Sequence, residues 1–405
     1  MAKRRAYSNS RSAIISLLIE HRTLSRMEIS RLTGLSRAAI SLSANELVAE
    51  GVIQEIGVAA STGGRRAVML RLGGATRLVA GAAFEGDTCH VSLVNLDGQQ
   101  LDRIAIEHAG PRTPEAAIDL TARAVTTLMA DREPDALIGC GLAFTGQMHA
   151  STDTFSSIGW AFTAYPLRQQ LSRRLRVPVE VMDNAHAAGL GELWLLGREH
   201  RSHLVYVYAG NGVGGAIIAD RELHPGRDHA AGEFGQLLLD PNGPDFPCGH
   251  RGCLEGYLSH DYLLAILDDA RQTGIVTAIP PDVREADFAT VVALAEANGD
   301  PGAILIMEHA ARWLGLAIAN LITIFNPDDV VIGGPVARWG ERFSDLIRMH
   351  ASRLTAPHTF AGVTIRPGCP IVEAVTLGAA ASIINRAPDL LTPTARELAD
   401  GRGGR

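Results

Sequence analysis

Between residues 10 and 72 the apolar positions pass from helical to strand spacing. Ile14, Ile15 and Leu18 recur at the period of one helix face, and SRMEISRLTGLSRAAISLSANELVAE (25–50) reads as two helices across a tight turn. Ser25 followed by Glu28 has the spacing of a capping box, in which hydroxyl and carboxylate satisfy orphan backbone N–H groups, so a helix begins at Ser25. Gly34 supplies the permissive backbone for the turn. Ser36 is placed to cap a second helix whose Ile40, Leu47 and Val48 share a face, and Gly51 stops it. VIQEIG and VMLRL then read as two strands around the loop STGGRR. Three helices followed by a two-stranded ribbon with a basic tip predict a winged helix-turn-helix. In such a unit the second motif helix enters a major groove, with Ser36, Arg37, Ala38 and Ser41 pointing outward. Arg65 and Arg66 in the wing would reach phosphates or an adjacent minor groove. The competing reading is a small helical domain with a solvated basic loop.

After Gly73-Gly74 the pattern becomes strands alternating with helices. LVAGAAF and HVSLVNL are short strands, a helix is predicted near 113–131, and DALIGCGLAF, a helix around 165–176 and VPVEVM follow. From His203 the order restarts with LVYVYAG, GGAIIAD, a helix near 303–325 and VVIGG. A strand-strand-strand-helix-strand-helix order met twice predicts two similar α/β lobes with a ligand cleft between them. The expected division is 1–74 for the winged helix, 75–200 and 201–387 for the lobes, and 388–405 for a frayed tail.

Charge divides the chain at the same place. Residues 1–72 carry 11 Lys and Arg against 5 Asp and Glu, net +6, whereas the remainder carries −13 within the overall −7. A basic head on an acidic body suits a nucleic-acid module joined to a domain with another task, with strongly salt-dependent binding. The 405 residues, 46% of them hydrophobic, support about three domains at roughly 100 to 200 residues each. No apolar run reads as a bilayer span and MAKRRAYSNSRSAI has no signal-peptide core, so a cytoplasmic protein without membrane contact is expected. Five cysteines, scattered and odd in number, argue against a disulfide framework.

Over nearly its whole length the chain resembles the ROK family of repressors, open reading frames and kinases. The likeness is carried by the winged helix, AGNGVGGAII, AAGEFGQ, CGHRGCLEGYLS, FNPDDVVIGG and VTLGAAAS. The resemblance implies two actin-like or RNase H-like lobes that bind sugars in their cleft. It also implies a transcription regulator, since members with the extra winged helix generally regulate and those without it are sugar kinases.

The kinase chemistry is where this chain departs from the family. Phosphoryl transfer needs a carboxylate at the sugar hydroxyl and backbone N–H groups with Mg²⁺ around the phosphates. The family's Asn-Asp-Ala-Asn stretch is Asp183-Asn184-Ala185-His186 here, which puts Asn184 at the base position. A neutral amide takes up no proton near neutral pH but still makes hydrogen bonds. The first phosphate loop, Asp-x-Gly-Gly-Thr in kinases, is Ala83-Phe84-Glu85-Gly86-Asp87, with negative charge where a polyphosphate would lie. Gly210-Asn211-Gly212-Val213-Gly214-Gly215 reads as a tight turn in preference to a phosphate cradle, and Gly333-Gly334 as packing glycines.

Sugar recognition looks better kept. Glu233 and Glu255 match the family's sugar-contacting glutamates, Gln236 stands for the usual His, Ser157 for Asn, and Thr145 for Pro before Gly146. With Asp183 and Asn184 these make the expected sugar site, the alternative being that the two glutamates merely cap helices. The family's structural zinc uses one His and three Cys. Here Gln236 and Phe246 replace two ligands and leave Cys248 and Cys253, which His250 or Asp245 would have to complete; packed reduced thiols without zinc, and no other cofactor, are expected.

Taken together, these residues predict a DNA-binding regulator, a repressor in the first instance. Its catalytically silent body would sense a sugar or sugar derivative and act as a homodimer or higher oligomer on a double-stranded operator. The rivals are an ATP-dependent sugar kinase with an accessory DNA-binding head and a regulator controlled by a protein docking on the body.

Overall fold

The computed structural model describes residues 9–58, 67–73, 76–196, 202–210, 212–246, 249 and 251–392. The chain opens with α1 (Ser10–His21), β1 (Thr23–Ser25), α2 (Arg26–Thr33), α3 (Arg37–Ala49), β2 (Ile53–Val58) and β3 (Val68–Leu72). Ser25 and Glu28 close the expected capping box, Glu28 Oε2 accepting from Ser25 N at 2.8 Å. Gly34 ends α2 in the left-handed region, at φ 76°, and the Ser36 side chain accepts from Ala39 N to start α3. The three strands pair antiparallel in the order β1-β3-β2. Arg65 and Arg66, expected in the wing, lie outside the described residues.

The first lobe comprises β4 (Leu78–Glu85), β5 (Thr88–Asn95), β6 (Gln100–Glu107), α4 (Pro114–Met129), β7 (Leu137–Phe144), a three-stranded meander β8 (Gln147–His149), β9 (Thr154–Ser157) and β10 (Phe162–Tyr165), then α5 (Leu167–Leu175), β11 (Val179–Asp183) and α6 (Asn184–Leu195). The second comprises β12 (Leu204–Ala209), β13 (Val213–Ala219), β14 (Glu222–Leu223), α7 (Leu254–Leu258), α8 (His260–Gln272), α9 (Glu285–Ala297), α10 (Pro301–Phe325), β15 (Asp329–Gly333), α11 (Gly340–Leu354), α12 (Pro357–Phe360) and β16 (Thr364–Pro367). Helices α13 (Ile371–Ile384) and α14 (Ala387–Leu390) close the described chain. The sheets run β6-β5-β4-β7-β11 and β14-β13-β12-β15-β16. The two orders are the same, each with an antiparallel hairpin start and two parallel additions, so the duplicated pattern corresponds to a duplicated topology. The meander β8–β10 is an insertion the periodicity did not reveal.

Three expectations change. Helix α10 is long and apolar enough to cross a membrane by length and composition, contrary to the reading that no such run exists. Ile306, Ala310, Leu314, Ile318 and Ile322 bury it in the second lobe's core. Helix α13, inside the span expected for the second lobe, returns to the first sheet. A Cβ on Gly81 or Gly141 would overlap the α13 carbonyl oxygens of Thr376 and Ala379. Finally, part of the expected tail is placed: Leu390 and Leu391, with Ala387 just before it, join Ala380, Ala381, Ile383 and Ile384 in one core with Ile14, Leu17, Leu18 and Leu72 of the winged helix. Leu391 O also accepts from Arg11 Nη2 at 3.4 Å. The winged helix is thus packed onto the C-terminal helices in addition to its covalent link to the body.

Candidate ligand cleft and DNA-facing helix

Strand β11 delivers Asp183 to the N-terminus of α6, where it caps the helix by accepting from His186 N at 2.8 Å. Its second oxygen lies 2.5 Å from His186 Nδ1, and His186 Nε2 lies 2.7 Å from Ala231 O of the second lobe. Both ring nitrogens face acceptors, an arrangement that favours the imidazolium. Burial of this residue, 2% exposed, pulls its pKa down, but the Asp183 hydrogen bond and charge, the Ala231 carbonyl and Glu233 together raise it above the ordinary value. His186 was not among the residues expected to build the site. An imidazole three residues after an Asp N-cap was the available signal.

Asn184, the first helical residue, donates from Nδ2 to Thr145 Oγ1 at 3.0 Å and to Phe84 O at 3.4 Å. Its Oδ1 is buried and accepts from no group among the described residues. The orientation of the amide follows from Phe84 O, a carbonyl that only the NH₂ end can satisfy. Thr145 O in turn accepts from Ser157 Oγ at 2.6 Å, and Ser157 is 1% exposed, so its proton is engaged inside the protein. Gly146 bends the chain beside it at φ 152°, where a Cβ would overlap Ser156 O.

From the second lobe, Glu255 Oε1 accepts from Val213 N at 3.1 Å, which ties α7 to the β12–β13 turn. The helix-capping alternative does not describe this carboxylate. Glu233 lies 3.4 Å from Gln236 Nε2. Burial raises the pKa of both glutamates; Asp183 and Glu255 raise Glu233 further while His186 opposes them, and the Val213 N–H opposes burial at Glu255. The structure therefore brings Asp183, His186, Glu233, Gln236 and Glu255 into one electrostatic neighbourhood, while Asn184, next in sequence to Asp183, turns its amide to Thr145 and Phe84. Gly146 and Ser157 support it through Thr145.

The phosphate loops are closed on themselves. Residues 85–88 form the β4–β5 turn with Gly86 at φ 58°, and Asp87 is held by Arg112 through two bonds of 2.6 and 2.9 Å that lower its pKa. Ala83 is buried. Gly210 N donates to Gly212 O at 3.0 Å, a Cβ on Gly210 would press on Pro335, and one on Gly333 would overlap Tyr206 Oη. Close packing accounts for these glycines, in agreement with the turn reading.

The zinc ligands implied by the resemblance are not met. Gln236 and Phe246 offer no imidazole or thiolate, and Asp245 is bound bidentately by Arg251 at 2.8 and 3.0 Å. Cys253 is buried, Cys248 and His250 lie outside the described residues, and no group of three or more His, Cys, Asp or Glu is placed to hold a metal among the described residues. Among the described residues the ligands of a tetrahedral site are not assembled.

On the winged helix, Ser36, Arg37 and Ala38 are exposed at the start of α3 and Ser41 is half-buried. The candidate cleft and this unit share α6: its N-terminus carries Asp183 and Asn184, and Trp194 near its other end lies under the Arg22 guanidinium at 5.9 Å. Arg22 also donates to Asp97 O at 2.8 Å.

Residues 80–385 match the ROK family. A putative xylose repressor of Caldicellulosiruptor sp. strain Rt8B.4 is 30% identical over 343 residues, 83% of this chain and 85% of that protein. A glucokinase of Thermotoga maritima is 30% identical over 308 residues, covering 75% of this chain and 96% of its own. The crystal structure of a ROK family transcriptional regulator, a homolog of the E. coli MLC protein, superposes with a TM-score of 0.79 at 22% identity, over 94% of this chain and 97% of that one.

Proposed function

The chain belongs to the ROK family, and from that premise we propose that it is a DNA-binding transcriptional repressor whose kinase-like body senses a sugar without phosphorylating it. Asn184 carries this reading. Activating a sugar hydroxyl requires a proton acceptor beside it, and the amide offers hydrogen bonds alone. Asp183 does not substitute, because both of its oxygens are engaged by His186. Asp87 is likewise bound to Arg112. What remains suits binding: the unmet Asn184 Oδ1 accepts a ligand hydroxyl, and Glu233 and Glu255 accept others. The repressor relatives make D-xylose the first ligand to test.

In this reading α3 enters the major groove of an operator duplex, Ser36, Arg37, Ala38 and Ser41 contact it, and the protein acts as a homodimer because one winged helix reads too few base pairs for genomic specificity. Ligand acts by favouring one arrangement of α6 and the helices packed on it. The test is fluorescence anisotropy of an operator duplex, selected with the full-length protein, with and without D-xylose and D-glucose, beside a coupled ATP assay on the same sugars. Sugar-dependent operator affinity without phosphorylation is expected. ATP-dependent sugar phosphorylation, or an operator affinity that no sugar changes, would refute the reading.

A further inference from the structure

Over its first turns α3 turns Arg37, Ala38, Leu42 and Asn45 away from the winged-helix core, with Ser41 at the margin. Leu42 is 64% exposed and follows Ala38 by four residues, and Asn45 follows Leu42 by three, so the three lie along one line of the helix about 5 Å apart. Packing does not call for a leucine here, since α3 buries Ile40, Ala44 and Leu47 on its other side. A lone exposed leucine is ordinary on a protein surface; this one stands in the middle of the surface that faces the groove. The electrostatics suit a polyanion there. Glu46 and the C-cap residue Glu50 are gripped by Arg11 of α1, at 3.4 Å for Glu46 and 2.8 and 2.5 Å for Glu50. Arg37 has no ion-pair partner among the described residues.

We propose that Leu42 and Asn45 are specificity-determining residues, Leu42 packing on a thymine methyl and Asn45 pairing with an adenine nearby in each half-site. The inference rests on the operator-binding reading above. The thymine C5 methyl is the apolar group of the major-groove edge, and a leucine, with no donor or acceptor, distinguishes it by burial. Cytosine or guanine in its place would present an amino or carbonyl group that Leu42 leaves unpaired. The Asn45 amide offers the donor and acceptor that match adenine N7 and N6.

The experiment selects duplexes from a random pool with the full-length protein. Each thymine of the enriched half-site is then replaced by deoxyuridine, which removes the methyl alone. A replacement in one half-site alone is expected to weaken binding about fourfold, the value of one buried methyl, and the same replacement in both half-sites about sixteenfold. Leu42→Ala, at an exposed position, is expected to keep the wild-type melting temperature, to bind more weakly, and to be indifferent to that same replacement. Asn45→Ala should relax selection at one adenine. Wild-type tolerance of deoxyuridine at every position overturns the assignment, as does a Leu42→Ala protein with the wild-type deoxyuridine profile. A pool yielding no enriched duplex overturns operator binding itself, before any variant is made, so the two failures are distinct.

Discussion

Asn184→Asp exchanges one NH₂ for an oxygen in the cleft and tests its hydrogen-bond logic directly. In the native protein Nδ2 serves Thr145 Oγ1 at 3.0 Å and Phe84 O at 3.4 Å. The Thr145 hydroxyl can rotate and donate to a carboxylate. Phe84 O cannot, and is left without a donor while facing negative charge. A buried acceptor deprived of its partner costs about 1 to 3 kcal/mol, and the length of the Phe84 bond places this case in the lower half, about 1 to 2 kcal/mol. At roughly 2 to 4 °C per kcal/mol for a domain of 150 to 250 residues, Tm should fall by about 2 to 8 °C. The restored carboxylate should not restore turnover, because Asp87 stays bound to Arg112 and Glu85 remains beside it. Thermal melts of wild type and variant without ligand, with a coupled ATP assay on xylose and glucose, measure both effects. A variant that melts at or above the wild type would falsify the donor role of Nδ2, and sugar phosphorylation by the variant would show that the closed first loop is no barrier.

His186 supplies a pH test: its folded pKa is raised, so its contribution is fully present below the ordinary imidazole pKa and is lost as pH rises through the folded value. Stability of wild type relative to His186→Gln should therefore shrink from pH 6 to pH 9, and a difference that grows with pH contradicts the imidazolium. Gly378→Val places side-chain atoms against the Ala187 carbonyl of α6 and should cost about 1 to 3 kcal/mol by overpacking, while weakening the sugar response of operator binding; calorimetry and anisotropy with and without xylose check it, and an unchanged sugar response removes the α6–α13 contact from the signal path. Arg37→Ala should reduce operator affinity by about 1 to 3 kcal/mol with relaxed specificity if the guanidinium reads a base, or uniformly with a shallower salt slope if it binds phosphate. Equal affinity at all salt concentrations would mean that α3 does not meet the duplex at Arg37.

The helix-turn-helix was legible almost residue by residue because its signals are local, whereas β1, which turns the expected two-stranded ribbon into a three-stranded sheet, was not foreseen and the wing tip lies outside the described residues. A capping box, a left-handed glycine and a Ser N-cap fix where helices start and stop within a few positions of themselves. The strand–helix order of the lobes was legible for the same reason. Features set by contacts between distant segments were not. Nothing in VTLGAAAS says that α13 crosses back to the first sheet; that follows from Gly81 and Gly141, some 290 and 240 residues earlier, which make room for its backbone. Nor does Ser157 announce that its hydroxyl faces inward to Thr145 O instead of outward to a ligand. In the candidate cleft, sequence pointed to Asp183, Asn184, Glu233 and Glu255 but not to His186, whose partner Ala231 O is a backbone atom and leaves no mark in composition.

The same long-range contacts bear on how a ligand reaches the operator. A sugar can shift an equilibrium only through a difference in its affinity for two arrangements, and about 5.5 kcal/mol of difference moves a population from 1:99 to 99:1. Helix α6 starts at the candidate cleft, contacts both lobes and reaches the winged helix. Its first turn is tied to Phe84 O and Thr145 in the first lobe and through His186 to Ala231 in the second. Its last turn carries Trp194 beneath Arg22. Along its length it is locked to α13, where a Cβ on Gly191 or Gly378 would overlap the facing backbone, and α13 runs on into the core shared with α1. Contacts so close leave little room for the two helices to slide independently. On the proposed reading, a ligand that alters the tie between Asn184, His186 and the second lobe acts on a closely packed helix pair, and the winged helix packed on its far end is expected to follow.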